Sequence, residues 1–126
     1  MYRKTRAEFV RSGPDGETHF ENVDVAFNDG QVRSGGPKLG LSAPQQTSDC
    51  FFLETAGGST PFRDYHPTPR KQWFVVLSGS MEFGTSDGEV RKFESGAAVL
   101  LDDMNTKGHI TRRLEDCNVM FVGLED

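Results

Sequence analysis

Between His19 and Phe27 the chain reads H-F-E-N-V-D-V-A-F, with apolar side chains at Phe20, Val23, Val25 and Phe27. Near-alternation of this kind is the period of a strand with one buried face. The slip near Asn22 predicts a β-bulge. Cys50 to Thr55 is a second strand-like run, ended by Ala56-Gly57-Gly58 and followed by a Pro-studded segment from Pro61 to Pro69. Gln72 to Leu77 is strongly apolar, and Ser78-Gly79-Ser80 predicts a turn returning it as a hairpin through Met81 to Gly84. Asp87-Gly88 is a sharper turn signal, because glycine supplies the positive φ of a tight hairpin, so Val90 to Phe93 should run back along Met81 to Phe83. Ala97 to Leu101 is apolar throughout, as suits a strand buried on both faces. His109 to Arg113 and Asn118 to Gly123 complete the set. By contrast, Asn28 to Gln46 carries four glycines and two prolines and reads as a long irregular connection. Almost no segment shows helical spacing. The pattern is all-β, with about eight strands at the spacing of a sandwich or closed barrel.

A chain of 126 residues and 14.0 kDa suits one domain spanning residues 1–126. Ten Phe and one Trp concentrate burial in a few large side chains, which compensates for a hydrophobic fraction of only 35%. The net charge of -5, with no basic run after residue 6, excludes the footprint of a nucleic-acid binder. No apolar stretch follows the basic opening Met1 to Arg6, and no run reaches membrane-spanning length. The expectation is a soluble, cytoplasmic protein with no membrane partner. Cys50 and Cys117 then read as two buried thiols rather than a disulfide. The N-terminal segments Tyr2 to Val10 and Phe20 to Phe27 are expected to be edge strands that pair with a second copy in a homodimer.

The candidate chemistry lies around two of the three histidines. His66 sits in Tyr65-His66-Pro67-Thr68-Pro69-Arg70-Lys71-Gln72, where an extended backbone sends residues 66, 68, 70 and 72 to one face. Two imidazoles, His66 and His109, converging with the Gln72 amide oxygen would make a divalent metal site. The competing reading has the same histidines, with Thr68 and Gln72, satisfying hydrogen bonds inside the barrel. Arg113 shares parity with His109 and Thr111, which points it inward to hold a carboxylate if the strand is regular; a solvated surface arginine is the alternative. Lys71 is a second candidate for orienting an acidic group. Tyr65 is a candidate proton donor or a packing residue at the rim. Phe74 and Phe83 are the aromatics expected to line the cavity. His19 reads as a surface residue, and Asp102-Asp103 as solvated neighbours on a turn facing apart. No nucleophile elbow, P-loop or Cys-x-x-Cys is present.

At these residues the chain resembles the cupin superfamily, whose first motif is G-x5-H-x-H-x(3,4)-E-x6-G and whose second is G-x5-P-x-G-x2-H-x3-N. His66 falls on the leading histidine, Gln72 on the glutamate, and Gly79 follows at the family's spacing in W-F-V-V-L-S-G. Thr68 stands where the second histidine belongs. His109, in G-H-I-T, falls on the histidine of the second motif, and Arg113 on its asparagine. The resemblance covers roughly residues 50 to 122, and H-P-x-P-R-x-Q, D-G-E-V-R and G-H also match a subgroup of small single-domain cupins. It implies an antiparallel jelly-roll barrel with N-terminal strands added to its edge. It also implies a small enzyme holding Fe, Zn, Ni or Mn through His66, Gln72 and His109, with Tyr65 and Arg113 beside the metal and Thr68, Phe74, Phe83 and Thr111 around the substrate. The substrate would be a small organic molecule bearing a carboxylate or carbonyl, and the reaction of dioxygenase, isomerase, cyclase or decarboxylase type. The alternative is a metal-free binding or sensor cupin.

Overall fold

The computed structural model describes residues 3–55 and 65–125. Tyr2, which the sequence places at an interface, lies outside them. The described residues form ten strands and no helix: β1 Arg3–Ser12, β2 Thr18–Gly30, β3 Leu39–Leu41, β4 Thr47–Thr55, β5 Gln72–Ser78, β6 Ser80–Thr85, β7 Val90–Glu94, β8 Ala98–Asp102, β9 His109–Arg113 and β10 Cys117–Leu124. They lie in a seven-stranded sheet ordered β3-β2-β1-β8-β5-β10-β4 and a three-stranded sheet ordered β7-β6-β9. The result is an all-β, jelly-roll-like barrel whose two sheets do not close into one. Every pairing is antiparallel except β1 with β8, which runs parallel from Glu8↔Val99 to Arg11↔Asp102.

Several expectations change. β1 is not an edge strand, because β2 holds one side and β8 the other; the edges of the large sheet are β3 and β4 and those of the small one β7 and β9. No bulge interrupts β2, which pairs with β1 in unbroken register from Ser12↔Thr18 to Arg3↔Phe27. Its slipped pattern means that Phe20 is buried on one face while Val23, Val25 and Phe27 are half-buried on the other. The irregular connection contains β3, which folds back on Asn28–Gly30. Ser78-Gly79-Ser80 does not close a hairpin. It is the corner at which the chain leaves the large sheet, where β5 pairs with β8 and β10, for the small one, where β6 pairs with β7 and β9. The Asp87-Gly88 hairpin forms as expected: Gly88 N–H donates to Thr85 O at 3.0 Å and Glu89 N–H to Asp87 Oδ1 at 3.1 Å. β8 is buried through Val99, Leu100 and Leu101, as a continuous apolar run between two neighbours requires.

The two sheets meet through aromatic rings. Phe74 of β5 stacks on Phe83 of β6 with centroids 5.1 Å apart, and both pack against Phe93 of β7. Such pairs contribute about 0.5–1.5 kcal/mol each beyond their area. Val10, Val76, Val99 and Val119 fill the space around them. Of the two cysteines, Cys117 is a buried free thiol whose pKa burial raises, whereas Cys50 on the edge strand is exposed and free.

Two predictions follow from the turns. Gly79 and Gly88 have φ of +80° and +99°, but a Cβ at Gly79 would collide with the Asp116 carbonyl while at Gly88 it meets nothing within 4 Å. Gly88→Ala should therefore cost only the left-handed backbone penalty of about 1–2 kcal/mol, and Gly79→Ala distinctly more. Equal melting temperatures for the two variants would show that the corner does not need Asp116 in contact.

His19 is not an isolated surface side chain. Its Nε2 lies 2.9 Å from Asp15 Oδ2 and its Nδ1 2.9 Å from Asp87 Oδ2, tying the β1–β2 turn to the β6–β7 turn. Beside it Lys107 pairs with Glu17. Its pKa is raised, first by the hydrogen bond to Asp15, and that bond lowers Asp15 in turn. A raised imidazole stabilises fully below its unfolded value of about 6.5 and loses that contribution as pH rises through the folded value. The melting temperature should thus fall as pH rises above about 6.5, and His19→Gln should flatten that slope. Calorimetric scans across this range giving parallel slopes would refute the tie.

Candidate functional site

A cavity of about 380 Å³ opens between the sheets. Its position is set by one backbone contact. The segment before β5 touches the start of β9 through an antiparallel bridge, with His66 N–H donating to His109 O and His109 N–H to His66 O, each at 3.0 Å. Gly108 makes this approach possible. Its φ is +88°, and a Cβ there would run into the His66 carbonyl and the Pro67 nitrogen. From this bridge the chain bends through Pro69–Lys71 into β5, and His66, Thr68, Arg70 and Gln72 line the cavity together with Pro69, so the expected set of four is brought together although the backbone between them is not regularly extended. Tyr65 is 47% exposed and outside the lining, so the proton-donor role expected of it has no geometric support. Lys71, also outside the lining, lies 3.9 Å from Asp102. On β9, His109, Thr111 and Arg113 all line the cavity, and Arg112 between them faces Glu82. Phe74 and Phe83 line it as expected, joined by Phe51, Leu53, Met81 and Phe121.

His109 is held on three sides. Its ring stacks on Phe83, with centroids 4.9 Å and planes 11° apart, and tilts against His66 at 4.9 Å. Its Nδ1 lies 2.7 Å from Asp103 Oδ2, while Asp103 Oδ1 accepts the Thr68 N–H at 2.9 Å. The Asp103 side chain is 0% exposed and that of His109 5%. Asp102 and Asp103 do face apart, but only Asp102 reaches the surface. Asp103 is buried because the loop from it to Gly108 folds inward: Thr106 Oγ1 donates to Asp103 O, and Gly108 N–H to Thr18 Oγ1 at 3.1 Å. A carboxylate accepts only, so the imidazole turns its Nδ1–H toward Asp103, and Nε2 is on the opposite side of the ring.

Gln72 is committed at both ends. Its Nε2 donates to Thr68 Oγ1 at 3.2 Å and its Oε1 accepts from Arg70 Nε at 3.1 Å, while Thr68 Oγ1 donates to the Arg70 carbonyl at 2.7 Å. Arginine has no acceptor, so the amide oxygen must face it. That oxygen therefore sits against a positive charge and is poorly placed to ligate a cation. The described residues hold no cluster of three or more His, Cys, Asp or Glu able to bind a metal. The donor set of two imidazoles and a preoccupied amide does not fit a divalent transition metal.

Comparison with known proteins leaves the family open. No family model and no curated protein matches this chain. It is similar to the solved structure of protein NMB1881 from Neisseria meningitidis, at 13% identity and a TM-score of 0.49, over 65% of this chain and 84% of that one.

Three contributors escape a sequence reading. Asp103 looks like half of a solvated acidic pair. Arg70 shares the His66 face, a signal that was legible, but only its position beside Gln72 assigns it a role. Gly108 stands next to a motif histidine, but nothing in the sequence shows that backbone passes against it. The geometry predicts that Asp103→Ala, which strands the His109 Nδ1–H and the Thr68 N–H, costs about 3–5 kcal/mol. Asp103→Asn should cost less. Denaturant unfolding checks both, and a loss under about 1 kcal/mol for Asp103→Ala would mean the buried carboxylate is not holding these donors.

Proposed function

We propose that the protein binds a small organic acid with an apolar body in the barrel cavity, without a metal. One observation carries this reading: among the described residues, the cavity lining contains two guanidinium groups, Arg70 and Arg113, and two imidazoles, but no carboxylate. Two acids outside the lining pair with members of this set. Asp103 backs His109, and Asp49, 61% exposed, lies 2.7 Å from Arg70 Nη2. The Asp49 pairing raises the Arg70 pKa and keeps the guanidinium charged at the edge of the cavity. Facing these cations is a wall of Phe51, Phe74, Phe83, Phe121 and Met81. An apolar cavity with a few convergent polar groups is the usual form of a small-molecule site, and paired arginines recognise carboxylates bidentately. The reading accords with the cupin resemblance of residues 66 to 109 but replaces the metal by guanidinium as the electrophilic element.

Titration calorimetry with phenylacetate and with uncharged phenylacetamide tests it on chelator-treated protein, with and without added Zn, Fe, Ni or Mn. Phenylacetate should bind at least about tenfold more tightly than the amide, and Arg70→Gln or Arg113→Gln should each remove about 1.5–3 kcal/mol of binding, the range for hydrogen bonds to charged groups. Equal affinities for the two probes, or binding that appears only with metal, would sink it.

A further inference from the structure

Asp103 and His109 form a buried pair whose imidazole is part of the cavity lining, and this pair has no evident purpose in binding alone. We infer that His109 Nε2 is the proton acceptor for a reaction on the bound acid, with Asp103 as the positioning residue that fixes its tautomer; this rests on the organic-acid reading above. Three observations converge. The Nδ1–Oδ2 distance of 2.7 Å commits the ring proton to the buried side. Stacking on Phe83 and the backbone bridge to His66 prevent the ring from turning. The second Asp103 oxygen is held by the Thr68 N–H, so the carboxylate cannot rotate away. An imidazole held in this way accepts a proton at Nε2 and has its positive charge stabilised by the carboxylate behind it.

The substrate class follows from what the cavity supplies. Imidazole, guanidinium, hydroxyl and amide groups suffice for proton transfer, which needs no oxidant, reductant or co-reactant. The fitting molecule is a 2-oxo acid with an apolar substituent, its carboxylate on the guanidinium groups and its body among the phenylalanines. In the step, the C–H bond between the carbonyl and the apolar group breaks and its proton forms an N–H bond at Nε2. The electron pair passes to the carbonyl oxygen, giving an enolate. Return of a proton to oxygen gives the enol, and return to carbon regenerates the oxo acid, so the net reaction is an enol–keto interconversion.

The experiment uses phenylpyruvate in D2O and follows loss of the C3 proton signal by NMR, with phenylacetate calorimetry alongside. The protein should accelerate exchange above buffer, and His109→Gln, whose amide can still donate to Asp103, should reduce the acceleration by about a hundredfold or more. Asp103→Asn should slow exchange while keeping phenylacetate affinity. Long-range 1H–15N spectra should show His109 protonated at Nδ1 in the parent protein and at Nε2 in Asp103→Asn, a change that a merely structural role would not produce. Should Asp103→Asn fail to fold, His109→Gln decides. Phenylacetate binding without acceleration of exchange, or exchange unaffected by His109→Gln, overturns the inference and leaves the binding reading standing. Failure of phenylacetate to bind overturns both.

Discussion

The site depends on the two backbone hydrogen bonds between His66 and His109. They join the segment leading into β5, in the large sheet, to the first residue of β9, in the small one. Beside them, the same end of the two sheets is joined by Gly108 N–H donating to Thr18 Oγ1 and by the His109–Asp103 contact. The bridge is local in space and distant in sequence, so its formation must offset the entropy of closing the chain between the two residues. Gly108 makes it sterically possible. Both histidine side chains are thereby delivered to one cavity wall with no regular pairing between β5 and β9.

Behind the bridge lies a continuous set of satisfied polar groups. Asp103 accepts from His109 and Thr68, the Thr68 hydroxyl joins Gln72 to the Arg70 carbonyl, and Gln72 accepts from Arg70. An unpaired carboxylate at this depth would be costly, whereas a fully bonded one is held rigidly in place. Rigidity reaches the same ring from the apolar side, since Phe83 stacks on His109 on one hand and on Phe74 on the other. The packing that holds the two sheets together therefore also orients the imidazole.

Much of this was legible in the residues themselves. Apolar runs bounded by Gly, Pro and Asp-Gly punctuation located β4 to β10 to within a few positions, because strand-forming and turn-forming preferences are local properties. Side-chain parity in an extended chain grouped His66, Thr68, Arg70 and Gln72, and separately His109, Thr111 and Arg113, all of which line the cavity. The Asp87-Gly88 turn was equally legible, since its requirement for positive φ is met by a single residue.

What the sequence alone could not decide was partnership. Ser78-Gly79-Ser80 is as compatible with a hairpin as with a corner between sheets, and only the competing pairings of β5 with β8 and β10 settle which it is. The N-terminal strand carries no mark of lying between β2 and β8. Asp103 differs from Asp102 only in the direction it faces, and its partner Thr68 is 35 positions away. Local alternation determined which residues could face inward together. The tertiary structure decided which of them were buried and charged against one another, because burial and hydrogen bonding are set by segments that the chain brings together only on folding.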